Sequence, residues 1–183
     1  MASEKPRRFI IHQGWLDLKG GIYDESGQEF ARLKGKLISL RAPVEVIESK
    51  TGALLFKIQR KLLAMRGTFD ILSPEGQLLG RVKKKILALR PMLWLEDETG
   101  RRLLEARGDF AGYNFRITDM EGKEVARIDK LDGFEWTKKL LFGDLAPFFD
   151  RKDKYALEIL DKSRDPMLLL AFVLAIDKLV HES

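Results

Sequence analysis

The chain of 183 residues contains no cysteine and only two histidines, His12 and His181. The absence of cysteine excludes disulfides, thiolate metal sites and cysteine nucleophiles, and it favours a cytoplasmic setting. A histidine-based metal cluster or catalytic triad would require the two distant histidines to meet. Walker, G-x-G-x-x-G and G-x-S-x-G patterns are also missing. We therefore predict a protein that is not an enzyme and that has no cofactor or metal.

Long apolar runs are equally scarce, and one stretch stands out. Residues 166–176 read PMLLLAFVLAI, and Asp165 and Pro166 suit the N-cap and first position of a helix. This helix would be apolar on every side, yet it is shorter than the roughly 20 residues that cross a bilayer. We predict a helix at about residues 166–181 that is buried inside the protein, and no transmembrane span.

The rest of the composition is typical of one globular domain. Hydrophobic residues make up 45% of the chain and charged residues 33%. The polar residues 1–8 are not followed by the apolar segment of a secretory signal. We predict a single domain over residues 1–183, located in the cytoplasm, with peripheral contact at the membrane as a further expectation.

Glycines recur along the chain with a regular period. Gly27, Gly52, Gly76, Gly100 and Gly122 each follow a short polar turn, at steps of 25, 24, 24 and 22 residues. The segments between them include three near-copies that begin at Arg32, Lys57 and Arg81. Apolar runs of strand length flank each glycine, which is typical of hairpin turns whose glycine takes a positive φ. Short amphipathic helices at residues 83–89 and the equivalent segments of the other two copies are the alternative reading, but each would be only about two turns long.

A series of hairpins needs a covered inner face and closed edges. A barrel provides both when an apolar element fills it, and the C-terminal helix is that element. We therefore predict a mainly β protein in which strands at about residues 9–160 form a closed antiparallel barrel around the helix. Trp15, Trp94 and Trp136 fall in apolar strand patterns and are predicted to be wall or core residues.

Particular segments resemble a known family. The repeat KLISLR (36–41), the block GDFAGYNF (108–115) and the closing helix that ends at Asp177 are similar to LURP-one-related proteins and their relatives, the phospholipid scramblases. The resemblance covers nearly the whole chain and implies the tubby C-terminal fold, a barrel of about twelve strands around a central helix. It implies function less closely, because the superfamily includes phosphoinositide-binding domains, scramblases and members without a known activity. Scramblases carry an acidic calcium-associated segment, but Arg151 replaces its first acid here.

Positive charge is concentrated in one part of the sequence. Residues 31–95 contain 14 Lys and Arg against 4 Asp and Glu. Within the three near-copies the basic residues lie two positions apart, so on strands they would share the outer face of the barrel. If these strands are neighbours, they form a basic patch. The predicted anion-binding residues are Arg32, Lys34, Lys36, Lys57, Lys61, Arg81, Lys83 and Lys85.

Several partners fit such a patch. Anionic phospholipid head groups of the phosphoinositide type are the first expectation, because clustered lysines and arginines bind anionic membranes and the resemblance has the same implication. Nucleic acid is less favoured, since few aromatic residues are interleaved with the basic ones. An acidic protein partner and scramblase-like lipid transfer stay open, as does a solvated exterior whose lysines only discourage aggregation.

Overall fold

The computed structural model describes residues 7–12, 21–35, 43–61, 67–85, 92–110, 113–131 and 154–181. These residues form twelve strands and one helix, which we call the C-terminal helix, at Pro166–His181. The strands are β1 (Arg7–His12), β2 (Gly21–Asp24), β3 (Glu29–Lys34), β4 (Val44–Glu48), β5 (Leu54–Arg60), β6 (Thr68–Leu72), β7 (Leu78–Lys85), β8 (Met92–Glu96), β9 (Arg102–Asp109), β10 (Asn114–Asp119), β11 (Glu124–Lys130) and β12 (Lys154–Ile159).

The strands form a closed antiparallel barrel. Each strand pairs with its neighbours in sequence, and β12 pairs with β1 to close the circle. In this last pairing Arg7 is opposite Ile159 and His12 is opposite Lys154. The prediction of a closed barrel of about twelve strands is therefore confirmed.

The five predicted glycine turns all lie at one end of the barrel, which we call the turn end. Their glycines have φ values between 72° and 88°. Each of the five hairpins also has a shift in register close to its turn, as between Ile117 and Thr118. A type I turn followed by a glycine bulge has this geometry, so the periodic glycines mark repeated bulged hairpins.

A side-chain oxygen stabilises most of these turns. Oδ1 of Asp97 accepts hydrogen bonds from the backbone N–H groups of Thr99 (2.9 Å) and Arg101 (3.0 Å). Asp24 and Asp119 make the equivalent bonds in their own turns, and Ser73 does so with its hydroxyl. Aspartate and serine are common in turns because they satisfy backbone donors in this way.

The C-terminal helix begins at the turn end, directly after β12. Oδ1 of Asp165 accepts a hydrogen bond from the backbone N–H of Met167 at 2.9 Å, which is the predicted N-cap contact. Arg164 in the preceding loop pairs with Asp119 of the last glycine turn at 3.1 Å. These contacts fix the point at which the chain enters the barrel.

The helix is the centre of the hydrophobic core. All residues from Leu169 to Leu179 are buried, and the helix contacts β5, β6, β7 and β12. Inward-facing strand residues complete the core, among them Phe9, Ile11, Ile22, Leu33, Val46, Phe56, Ile58, Phe69, Ile71, Val82, Leu93, Leu95, Ile117, Ile128 and Leu157. This arrangement confirms the predicted buried helix. Within the described part of the chain, no helix has both the length and the apolar character that a membrane span requires.

One hydroxyl is enclosed in this apolar interior. Tyr155 is 1% exposed, and its hydroxyl has no hydrogen-bond partner within the described part of the chain. Its ring stacks on Tyr113 with centroids 4.7 Å apart. Burial, followed by the charge of Asp177 and by Tyr113, raises the pKa of Tyr155 well above its ordinary value. Tyr155 therefore stays neutral at physiological pH.

Candidate anion-binding surface

The described members of the predicted basic set lie on β3, β5 and β7 or directly after them. Arg32 and Lys34 belong to β3, Lys57 to β5, and Arg81, Lys83 and Lys85 to β7, while Lys61 follows β5. The residues between them, Leu33, Ile58 and Val82, are buried, so the basic side chains face outward. Lys36 lies outside the described residues.

The three basic strands are not neighbours. β4 separates β3 from β5, and β6 separates β5 from β7. Acidic residues occupy the intervening outer face, where Glu45 is opposite both Lys34 and Lys57, and Asp70 is opposite Arg81. A continuous basic patch was expected only if these strands were neighbours, and they are not.

Three members of the set are neutralised by ion pairs. Arg32 Nε lies 2.5 Å from Glu29 Oε1, and Arg81 Nε lies 2.6 Å from Asp70 Oδ1. The hydrogen bond with Asp70 raises the pKa of Arg81, although burial opposes the shift. The third pair joins Lys83 to Glu96. These pairs link side chains on the wall of the barrel and carry little free charge.

The pair between Lys83 and Glu96 belongs to a small network on β7, β8 and β9. Lys83 Nζ is 2.6 Å from Glu96 Oε2, and Trp94 Nε1 donates to Glu96 Oε1 at 2.6 Å. Burial alone would raise the pKa of Glu96, but the hydrogen bonds from Lys83 and Trp94 outweigh it and hold this pKa below its ordinary value. The guanidinium of Arg102 lies 4.4 Å from the centroid of the Trp94 ring. Trp94 is thus an outer wall residue.

The remaining members of the set form no ion pair with a described residue: Lys34, Lys57, Lys61 and Lys85. Lys34 and Lys85 are the last residues of β3 and β7, and Lys61 directly follows β5. Because odd-numbered strands all run away from the turn end, these three lysines lie at the same far end of the barrel. We call Lys34, Lys61 and Lys85 the lysine rim, and all three are exposed.

The structure also reveals a cationic feature that was not predicted. Arg107 on β9 is directly opposite Arg116 on β10, and Arg116 is directly opposite Arg127 on β11. We call these three residues the arginine row. On the other side of Arg107 the same line of partners continues to Met92 and Lys85. The arginine row thus places cations on three adjacent strands, which the predicted set does not.

Acidic side chains accompany the arginine row. Arg107 lies 2.7 Å from Glu105, Arg116 lies 2.8 Å from Glu124, and Arg127 lies 2.5 Å from Glu158. The row has only a weak signal in the sequence, because the three arginines occur in strands of mixed charge without a repeated motif. The register that joins them depends on the bulge between Ile117 and Thr118.

Comparison with known proteins places this barrel in a family. A model of the LURP-one-related family matches residues 7–177. The chain belongs to the LURP-one-related family. Its structure is similar to the X-ray structure of an Arabidopsis thaliana protein, with a TM-score of 0.65, 13% sequence identity, and coverage of 97% of this chain and 92% of the other. At this identity the likeness concerns the fold alone.

The family assignment agrees with the resemblance seen in the sequence. This LURP-one-related protein is a tubby-like barrel module, and its family is not a known enzyme family. No curated protein matches the chain. Among the described residues, no group of three histidine or acidic side chains is arranged to hold a metal ion.

Proposed function

We propose that this LURP-one-related protein is a non-enzymatic module that binds anionic phospholipid head groups at the surface of a membrane. The lysine rim is the observation that carries this proposal. Its three lysines are exposed and unpaired among the described residues, and they share one end of the barrel.

The other predicted cations have different parts in this proposal. Lys57 adds charge on the outer face of β5, although Glu45 lies between it and Lys34. Arg81 and Lys83 form partly buried ion pairs and contribute mainly to the wall, whereas Arg32 and Glu29 form an exposed pair. Since each basic residue near an anionic membrane contributes about 1 kcal/mol, Lys57 and the lysine rim together supply about 4 kcal/mol, or roughly a thousandfold enrichment at the membrane.

Vesicle sedimentation tests the proposal directly. Vesicles of neutral phosphatidylcholine and vesicles with added phosphatidylserine or phosphorylated inositol lipid are mixed with the protein at low and at physiological salt. The protein should sediment with the anionic vesicles only, and the bound fraction should fall as salt rises, because exposed charges are screened. Binding to neutral vesicles in high salt would contradict the proposal and favour lipid transfer through an apolar contact.

A charge-reversal variant locates the contact. Lys34→Glu, Lys61→Glu and Lys85→Glu together should abolish sedimentation with phosphatidylserine vesicles without loss of folding, since none of these side chains is buried. The matched control reverses three exposed cations at the turn end, Lys50, Arg101 and Lys162, and should bind nearly as the parent does. Equal losses in both variants would show that only the net charge matters and would refute the assignment to the lysine rim.

A further inference from the structure

The arginine row sets like charges side by side in the sheet. Arg116 faces Arg107 on one side and Arg127 on the other, as direct partners across adjacent strands. The Cβ atoms of directly opposite residues are about 4.5–5.5 Å apart, and like charges in such positions destabilise a sheet. A stable barrel has no need of this arrangement, which makes it a candidate for a binding function.

The acids next to the row are partly shared with arginines outside it. Glu105 is shared by Arg107 and Arg102, and Glu158 is shared by Arg127 and Arg8. Glu124 pairs with Arg116, and Asp129 lies 3.8 Å from Arg127. Two of these four carboxylates, Glu105 and Glu158, are therefore divided between an arginine of the row and an arginine outside it.

Arg107 and Arg116 are the most accessible arginines of the row. The side chains of Arg107 and Arg116 are 68% and 70% exposed, whereas that of their neighbour Glu105 is 13% exposed. Exposed ion pairs are weak, so these guanidinium groups can exchange a carboxylate for a better acceptor at little cost. The planar guanidinium fork matches the oxygens of a phosphate group and binds it through two parallel hydrogen bonds.

We propose that the arginine row is a binding site for a ligand with two or more neighbouring phosphate groups. Arg107 and Arg116 each hold one phosphate, and Arg127 supports the second from the next strand. Two sources provide this chemistry, namely the head group of a phosphorylated inositol lipid and a free polyphosphorylated molecule. The site is formed by residues other than the lysine rim, so it stands or falls independently of the proposed membrane contact.

Titration calorimetry at physiological salt tests the site with soluble probes. Inositol hexakisphosphate and tripolyphosphate serve as probes, and sulfate serves as a single anion. The parent should bind both probes and bind sulfate much more weakly. Since a charge-assisted contact is worth about tenfold in affinity or more, the variant Arg107→Gln/Arg116→Gln should lose about a hundredfold.

Two further variants separate geometry from charge. Arg107→Lys/Arg116→Lys keeps the charge but not the fork, and it should lose about tenfold in affinity. The control Lys50→Gln/Arg101→Gln removes two exposed cations from the glycine turns between β4 and β5 and between β8 and β9. It should bind within about twofold of the parent, because only distant charge is lost.

The binding of the soluble probes by the parent and the variants supports or overturns the proposed phosphate site. Loss of the soluble probes in the glutamine variant but not in the control supports it, and parallel sedimentation with vesicles of phosphorylated inositol lipid shows whether a head group occupies the site. A parent that binds no probe, a glutamine variant that binds like the parent, or a lysine variant without any loss would each overturn it. Melting temperatures confirm that the variants are folded, and Arg116→Gln alone replaces the double variant if that one unfolds.

Discussion

Replacing Val173 with aspartate tests whether the C-terminal helix is the core of the barrel. Val173 is 0% exposed and lies at the middle of the helix, where every neighbour from Leu169 to Leu179 is buried. A carboxylate at this position loses its hydration, and the charged residue one helical turn away, Asp177, is itself an acid and offers no ion pair. The substitution should therefore prevent stable folding.

The size of the effect follows from three contributions. Loss of the buried valine costs about 1.5–3 kcal/mol, and burial of a neutral carboxyl without a hydrogen bond adds about 1–3 kcal/mol. Keeping the carboxyl protonated at pH 7 requires its pKa to rise by about three units, which costs about 4 kcal/mol. The sum of about 7–10 kcal/mol is similar to the whole stability of a typical domain.

Chemical denaturation of a matched series measures these contributions separately. Val173→Ala reports the packing loss, Val173→Asn adds a neutral polar group, and Val173→Asp adds the ionisable group. A buried aspartate has a raised pKa, so the folded state holds a proton that the unfolded chain releases near pH 4. The deficit of Val173→Asp relative to Val173→Asn should therefore vanish near pH 4 and grow as pH rises towards 7.

A surface substitution provides the control. Met120 is 51% exposed in a glycine turn, and Met120→Asp should change the free energy of unfolding by about 0.5 kcal/mol or less. If Val173→Asp instead melts cooperatively with a stability close to that of the parent, the helix is not the core.

Three further predictions concern the wall of the barrel. At Gly108, where φ is 145°, an added Cβ would lie 2.5 Å from the carbonyl oxygen of Asn114, whereas an added Cβ at Gly122 would meet nothing within 4 Å. Gly108→Ala should therefore lower the urea midpoint far more than Gly122→Ala. Glu158→Gln should cost about 1–3 kcal/mol in denaturation, because Arg8 and Arg127 both lose a charged partner. Hydrogen bonds from Lys123 and Ser163 lower the pKa of Asp161 in the folded protein. The ionised carboxylate therefore stabilises the fold above about pH 4, and this stabilisation is lost as the pH falls. Asp161→Asn should flatten the pH dependence of the melting temperature between about pH 2 and 5.

The fold was largely predictable because its signals are local and repeated. Each glycine turn can be read within a few residues, since positive φ, a bulge and a side-chain acceptor such as Asp97 occur together. The helix was predictable from one apolar run with Asp165 at its start. Closure of the barrel followed from the need to cover such a helix on every side.

The binding surface was less predictable because it depends on contacts between strands. The spacing of Arg81 and Lys83 correctly predicts that both side chains face outward, but their ion-pair partners Asp70 and Glu96 belong to other strands. Sequence spacing alone does not show that even-numbered strands bring acids between the basic ones. Which lysines stay unpaired is therefore a property of the assembled wall.

The arginine row was even harder to predict from the sequence, because it depends on the register between strands. The bulge between Ile117 and Thr118 shifts β11 by one residue relative to β10. Without this shift, Ala126 rather than Arg127 would be opposite Arg116, and the outer face would change. A change of one residue in register would separate Arg116 from Arg127, and the sequence alone does not show the register of these strands.

The pairing of the first strand with the last has a consequence for synthesis on the ribosome. Arg8 and Glu158, which meet across this seam, are 150 positions apart in the chain. At about 5–20 residues per second, β1 waits roughly 10–30 s for its partner, and the inner faces of all the strands wait longer for the helix. During this interval the nascent chain exposes an unpaired edge and a row of apolar side chains. Lower growth temperatures and chaperones that bind extended apolar segments should therefore raise the yield of folded protein.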